Sequence, residues 1–290
     1  MALGVFDGVH AGHVNILKDA VKKARRIKGT SIVLTFSPHP QKEESLYSLE
    51  HRLKLIGGLG TDVCIVINFN RNFSRIKAND FIKNILIKKI RAHYIYIGKN
   101  FRFGRRAEGN FETLREFVRD YHYKLKLFAV IKRRNKPISS TNIRVLIKSG
   151  ELRAAADLLS RPVSILGTVI RGNFLARSLG FPTANINPHH EVLPPAGVYA
   201  VRIIFNKKKL NGICYIGSRP TIKEQKIKGK KSPKHIEVHI FDFNKNIYGK
   251  YLEIQFIKRI RDEKKFPSRL ALTQRVKKDI ASVRKLSCRH

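Results

Sequence analysis

The chain has 290 residues, about twice the roughly 150 residues of a typical compact domain, so two folded units are expected. Its 59 bases against 21 acids give a formal charge of +38, while 42% hydrophobic content supplies real cores and excludes a wholly disordered polycation. The longest apolar runs, such as Ser31 to Phe36 and Asp62 to Ile67, fall far short of the roughly 20 residues of a membrane span, so no membrane partner is expected.

No basic leader with an apolar run and a small-residue cleavage site is visible at the start. Cys64, Cys214 and Cys288 are odd in number and form no C-x-x-C, which argues against a disulfide framework or a zinc knuckle. A cytoplasmic protein with buried or incidental thiols is expected.

The first half alternates short apolar runs with segments of helical period, the pattern of βαβ units on a parallel sheet. Ala2 to Phe6 reads as a strand, and Val14, Leu17, Val21 and Ala24 place a helix over Val14 to Ile27. Ser31 to Phe36, Val63 to Ile67, Tyr94 to Ile97 and Lys126 to Ile131 read as further strands, with helices near 50–58, 79–91 and 111–121 between them. In such a layout ligands sit at the carboxyl ends of the strands.

Glu151 to Leu159 reads as the last helix of the first unit, so the halves are expected at 1–155 and 156–290. Glycine and proline then become frequent. Strand-length runs at Val163 to Ile170, Val198 to Phe205, Gly212 to Ile216, Ile236 to Phe241 and Leu252 to Ile257 predict a small antiparallel barrel. Arg269 to Leu286 carries an apolar stripe of a closing helix, and the basic stretch Lys226 to Lys234 predicts a mobile loop.

The positive charge invites nucleic acid as a partner. However, its clusters, among them Lys22, Lys23, Arg25 and Arg26, Lys132 to Arg134 and Lys207 to Lys209, are scattered, with no single element concentrating them. No recognition-helix, zinc-finger or RNA-binding-sheet signature accompanies them. The expectation is no specific nucleic-acid partner, with weak salt-sensitive contact to polyanions as a side effect of charge.

The segment from Gly4 to His13, GVFDGVHAGH, crowds Gly4, Gly8, Gly12, Phe6, Asp7, His10 and His13 between a strand and a helix start. Glycines let a backbone turn tightly and approach a ligand, and amides at a helix start favour an anion. His10 and His13, three apart, are placed to face one phosphate group.

This segment resembles the H-x-G-H nucleotidyltransferases and, within them, the bacterial bifunctional riboflavin kinase and FAD synthetase family. FSPHP at Phe36 to Pro40, IGKNFRFG at Ile97 to Gly104 and ISSTNIR at Ile138 to Arg144 extend the likeness in order. The resemblance implies a Rossmann-like nucleotidyltransferase domain in which His10 and His13 stabilise the triphosphate as pyrophosphate leaves. Asp7 supports the loop, and His39, Asn100, Ser139, Ser140, Thr141 and Arg144 complete the ATP and flavin site. Asn100 stands where the family often has Asp.

The second half resembles the family's riboflavin kinase barrel through LGFPTAN at Leu179 to Asn185, PPAGVYAV at Pro194 to Val201, IGSRPT at Ile216 to Thr221 and IEVHIFDF at Ile236 to Phe243. The likeness implies that Thr183 and Asn185 hold Mg²⁺ and the ATP phosphates, and that Glu237 is the general base toward the riboflavin 5′-hydroxyl. Gly172, Arg177, Gly180, Pro182 and Arg261 complete that site. Asp242, five residues after Glu237, falls on the opposite face of a regular strand. Ala176 and Tyr215 depart from the usual Gly and Asn.

The implied function is phosphorylation of riboflavin to FMN and adenylylation of FMN to FAD, with ATP as co-substrate of both and Mg²⁺ as cofactor. Two alternatives stay open on sequence grounds: a kinase with a decayed adenylyltransferase half, and a basic nucleic-acid-binding protein without flavin turnover.

Overall fold

The computed structural model describes residues 1–38, 45–133, 135–172, 181–218 and 234–287. The chain divides into two compact units, Met1–Ile143 with Leu158–Ser160, and Arg144–Asp157 with Arg161–His290.

The first unit is a five-stranded sheet of β1 (Ala2–Leu3), β2 (Ile32–Ser37), β3 (Val63–Asn68), β4 (Tyr94–Gly98) and β5 (Lys124–Phe128), in the order β3-β2-β1-β4-β5. Every pair is parallel. The central strand is shorter than its apolar run predicts. Gly4 still donates to Leu34 O, but Phe6 turns into the left-handed region at φ 51°, ending the extended chain and beginning the glycine-rich loop.

Helix α1 (Ala11–Arg26) buries Ile16, Leu17, Ala20, Val21 and Ala24, a stripe at helical spacing. Full burial of a side chain like Leu17 contributes about 1.5–3 kcal/mol. Helix α2 (Leu49–Gly57) is capped by Ser48, whose hydroxyl accepts from His51 N. The expected helix near 79–91 is π-helical over Phe81–Lys89 (α3). The one expected near 111–121 breaks at Phe117 into Phe111–Glu116 (α4) and a short turn, Val118–Tyr121.

Strand β5 begins two residues before its expected position. Pairing with β4 runs from Tyr94↔Lys124 to Gly98↔Phe128, so the apolar residues Ala129 to Ile131 lie past the end of the ladder. Helices α5 (Ser140–Ser149) and α6 (Leu152–Leu159) follow.

The second unit is a closed barrel of six strands: β6 (Ser164–Ile170), β7 (Ala184–Asn187), β8 (Gly197–Phe205), β9 (Lys208–Ser218), β10 (Lys234–Ile240) and β11 (Tyr251–Asp262), ordered β8-β9-β10-β7-β6-β11. All neighbours are antiparallel. Five of these were expected. The sixth, β7, reads ANIN, too short and polar for an apolar run to mark it.

Helix α7 (Arg269–Ser287) closes the unit, its Val283 packing on Val198, Ala200, Ile213 and Phe241. Residues 226–233 of the expected basic loop lie outside the described residues. Among the described residues no helix is long and apolar enough to cross a membrane.

Candidate functional sites

In the first unit the backbone of the Gly4–His13 loop is bent at three successive points: Phe6 at φ 51°, Gly8 at φ 78° and Val9 at φ 40°. A left-handed β-branched residue such as Val9 is strained, and such strain persists only where the surroundings over-determine it. They do so here. Asp7 is 3% exposed and its Oδ1 accepts from Leu46 N at 2.8 Å, while its carbonyl accepts from Ser140 Oγ at 2.8 Å. At Gly8 a Cβ would stand 2.5 Å from Leu46 Cδ1, so glycine is required by space as well as by φ.

His10 caps α1, its Nδ1 accepting from His13 N at 3.4 Å. The two imidazoles stack with centroids 3.6 Å apart, and Phe6 meets His13 edge-on at 5.3 Å. A Cβ at Gly12 would stand 3.2 Å from the His10 ring, and one at Gly4 2.9 Å from the Phe6 ring. Since His10 Nδ1 is an acceptor, a neutral His10 carries its proton on Nε2, a donor suited to a phosphate oxygen.

Ser139 caps α5, accepting from Asn142 N at 3.2 Å, so the bond from Ser140 to Asp7 brings the amino end of α5 beside the histidine loop. Thr141 is exposed in the first turn, and Arg144 is buried one turn farther along. The predicted His39 lies outside the described residues.

Two features here escape sequence reading. Arg52, 3% exposed on α2, donates to Val5 O at 2.7 Å, Thr35 Oγ1 at 3.3 Å and Phe36 O at 3.1 Å, fastening the carboxyl ends of the two central strands. Burial pushes its guanidinium pKa down, and Asp7 opposes that shift. The other is a cavity of about 160 Å³ in which Asn100 shares the wall with Val5, Phe36, Phe69, Phe73 and Phe101. Its signal in the sequence is the aromatic pair in NFNRNF just after β3.

In the second unit the site is a row of side chains across the barrel wall. Asn185 on β7 pairs with Glu237 on β10, Glu237 with Tyr215 on β9, Tyr215 with Val198 on β8, and Val198 with Arg261 on β11. Directly opposed residues point to one face, here the outer face on which Val283 of α7 packs. Register alone therefore gathers Asn185, Glu237 and Arg261.

Glu237 Oε1 accepts from His235 Nε2 at 2.7 Å, and Thr183 Oγ1 stands 3.5 Å from Oε2. Asn185 is 8% exposed, and its Oδ1 has no hydrogen-bond partner among the described residues. A Cβ at Gly172 would stand only 1.9 Å from Asn185 Nδ2, so the glycine makes room for the amide. His239 Nδ1 donates to Pro182 O at 2.8 Å, holding the Pro182–Thr183 turn against β10. The predicted Arg177 and Gly180 lie outside the described residues, as does Ala176.

Arg261 Nε donates to Asp279 Oδ2 at 2.8 Å, which fixes its guanidinium between the row and α7. Tyr215 Oη donates to Glu263 Oε1. Burial first, then that bond, raises the tyrosine's pKa, keeping it a protonated donor. Asp242 lies beyond the end of β10 at φ 54°, outside the regular alternation, and takes both ends of Arg284 at 2.8 and 3.1 Å. It is a tether for α7.

A buried, unpaired amide oxygen near a hydroxyl is a set of hard donors suited to Mg²⁺. Among the described residues no group of three or more His, Cys, Asp or Glu side chains is placed to hold a metal ion. Two neutral oxygens suit a cation that is shared with phosphates and water.

A family model for FAD synthetase matches residues 1–142, and one for riboflavin kinase matches residues 159–287. A bifunctional riboflavin kinase/FMN adenylyltransferase of Buchnera aphidicola subsp. Schizaphis graminum is 38% identical, over 98% of this chain and 93% of that protein. Proteins of the same description from Bacillus subtilis and Escherichia coli are 35% and 31% identical, covering 96% and 98% of this chain and 89% and 91% of their own.

A solved structure described as a macrolide-efflux protein from Streptococcus pneumoniae superposes with a TM-score of 0.78 at 28% identity, over 96% of this chain and 91% of that one. The efflux description stays with that protein. With a histidine loop on a parallel sheet, a carboxylate–amide row on a barrel and relatives matched over nearly their whole length, the chain belongs to the bifunctional riboflavin kinase/FMN adenylyltransferase family.

Proposed function

We propose that each half of this enzyme works at the phosphate site described above, the adenylyltransferase over 1–155 and the kinase over 156–290. In the kinase half, Glu237 accepts the proton of the riboflavin 5′-hydroxyl as that oxygen attacks the terminal phosphorus of ATP, giving FMN and ADP. His235 orients the carboxylate through its 2.7 Å bond. Asn185 and Thr183 are the residues that would hold Mg²⁺, which when bound neutralises charge on the phosphates. Gly172 and Pro182 border the phosphate side, to which family likeness also assigns Arg177 and Gly180, and Arg261 stands in the same row.

In the adenylyltransferase half, the phosphate of FMN attacks the α-phosphorus of a second ATP and pyrophosphate leaves. The substrate supplies the nucleophile, so positioning and electrostatics carry the catalysis. His10 and His13 donate to the departing phosphates. Gly4, Gly8 and Gly12 let the backbone approach, and Ser139, Ser140, Thr141 and Arg144 serve the phosphates from α5. His39 belongs to the same ATP site. The aromatic cavity beside Asn100 suits the flat isoalloxazine ring.

The observation that carries this reading is the alignment of Asn185 with Glu237 by strand register, which puts a buried acceptor and a base side by side. The free thiols Cys64 and Cys214 fit a reducing, cytoplasmic setting. No specific nucleic-acid or membrane partner belongs to this function.

The test is direct. Purified full-length protein given riboflavin, ATP and Mg²⁺ yields FMN and then FAD. Neither product forming while a known enzyme works alongside overturns the reading, and FMN without FAD overturns the adenylyltransferase half.

A further inference from the structure

Helix α1 carries a second stripe that its packing does not use. Asp19, Lys22, Lys23 and Arg26 recur at the i, i+3, i+4, i+7 spacing of one helical face. On the sheet, Tyr94 and Tyr96 of β4 pair with Lys124 and Lys126 of β5, and alternate residues of a strand share a face. These two stripes line one cavity of about 460 Å³. Basic residues that looked scattered in the sequence are therefore concentrated here by the fold.

The lining is chemically one-sided. It holds Lys22, Lys23, Arg26, Lys124 and Lys126 against the single carboxylate of Asp19, a net of four positive charges. Asp19 is taken by Lys126 at 2.8 Å. Lys23 and Lys124 both lie against the Tyr94 ring, with Nζ 4.4 and 5.8 Å from its centroid. Hydrogen bonding from Lys23, with the charges of Lys124 and Lys23 adding to it, draws the Tyr94 pKa down, a mark of the positive field in this groove.

The cavity is separate from the histidine loop. Tyr94 and Lys124 are the first residues of their strands, at the amino end of the sheet, whereas the loop and Asn100 lie at the carboxyl end. Along α1, Lys23 lies ten residues beyond His13, roughly 15 Å at 1.5 Å per residue.

We propose that this groove is a second anion site, taking a small molecule with contiguous phosphates, either inorganic polyphosphate or the triphosphate of a nucleotide. A concave pocket of small-molecule size with an aromatic wall favours such a ligand over the backbone of a long nucleic acid, which a convex basic face would serve as well. Occupation by phosphates offsets the repulsion of ammonium groups gathered around one ring. The inference depends on no step of the flavin reactions.

Equilibrium dialysis of the full chain against tripolyphosphate and, separately, ATP tests it. Three proteins are compared: the wild type; the α1 variant Lys22→Glu, Lys23→Glu, Arg26→Glu; and a charge-matched control, Lys207→Glu, Lys208→Glu, Lys209→Glu, altered on an exposed barrel hairpin. The expected result is one fewer equivalent of tripolyphosphate bound by the α1 variant than by the other two, with circular dichroism unchanged. A fourth protein, Lys22→Arg with Lys23→Arg, retains the equivalent. If ATP loses the same equivalent and binds there more tightly than tripolyphosphate, the source is a nucleotide; if not, free polyphosphate. Equal stoichiometry in all three proteins overturns the proposal. So does an RNA oligonucleotide whose binding the α1 variant loses while tripolyphosphate binding stays intact.

Discussion

In the proposed function the histidine loop and the barrel row take the same chemical object, the phosphates of ATP, and they are built by opposite means. The loop is local: ten consecutive residues, Gly4 to His13, whose backbone is forced through left-handed conformations at Phe6, Gly8 and Val9. The row is built across strands: Asn185, Glu237, Tyr215 and Arg261 lie far apart in the chain, and the antiparallel register, with a bulge beside Val198 where Arg261 joins, brings them together. A backbone-built site is vulnerable to any added Cβ, a register-built site to the loss of one side chain.

That contrast is open to direct challenge. Glu237→Gln keeps the shape of the row and removes the base; FMN formation falls about 10²–10⁴-fold, while FAD formation from supplied FMN is untouched, as single-turnover product analysis reads. In the loop, Gly8→Ala adds one methyl against Leu46 and lowers FAD formation about 100-fold by misplacing the histidines. Gly57→Ala, where a Cβ meets nothing within 4 Å, is the silent control.

Arg52→Leu removes the buried donor to the Phe36 carbonyl, while Val5 O keeps the Thr35 hydroxyl, at a cost of about 1–3 kcal/mol for the group left unsatisfied, which urea unfolding of the first unit measures. Gly172→Ala displaces the Asn185 amide and raises the Mg²⁺ concentration needed for half-maximal FMN formation about tenfold.

The last effect is the weakest. Arg284 holds the Asp242 carboxyl below its usual range, so this pair stabilises the second unit above the ordinary carboxylate pKa of about 3.9 and is lost as pH falls through the lowered folded value. The thermal midpoints of the wild type and Asp242→Asn therefore differ slightly at pH 7 and converge under acid.

The same contrast explains what was legible in the sequence. The loop announced itself because its glycines and histidines are contiguous, and the alternation of strands and helices marked the parallel sheet. Glu237, Asn185 and Arg261 came from family likeness, since periodicity does not reveal which strand pairs with which. His235 lies two residues before Glu237, hence on its face, and alternation flags it once Glu237 is suspected. Strand β7 escaped because ANIN has no apolar run, and β1 was overextended because Val5 and Phe6 are apolar yet belong to the loop. Arg52 was hidden among the leucines of α2, where a charge is expected to face solvent.

Independence of the two phosphate sites is settled most directly by following both flavins in one reaction with the double variant His10→Ala, His13→Ala. Given riboflavin, ATP and Mg²⁺, it should accumulate FMN at close to the wild-type rate and make almost no FAD. Loss of FMN formation in step with FAD, in a protein that still folds, would contradict two sites acting separately.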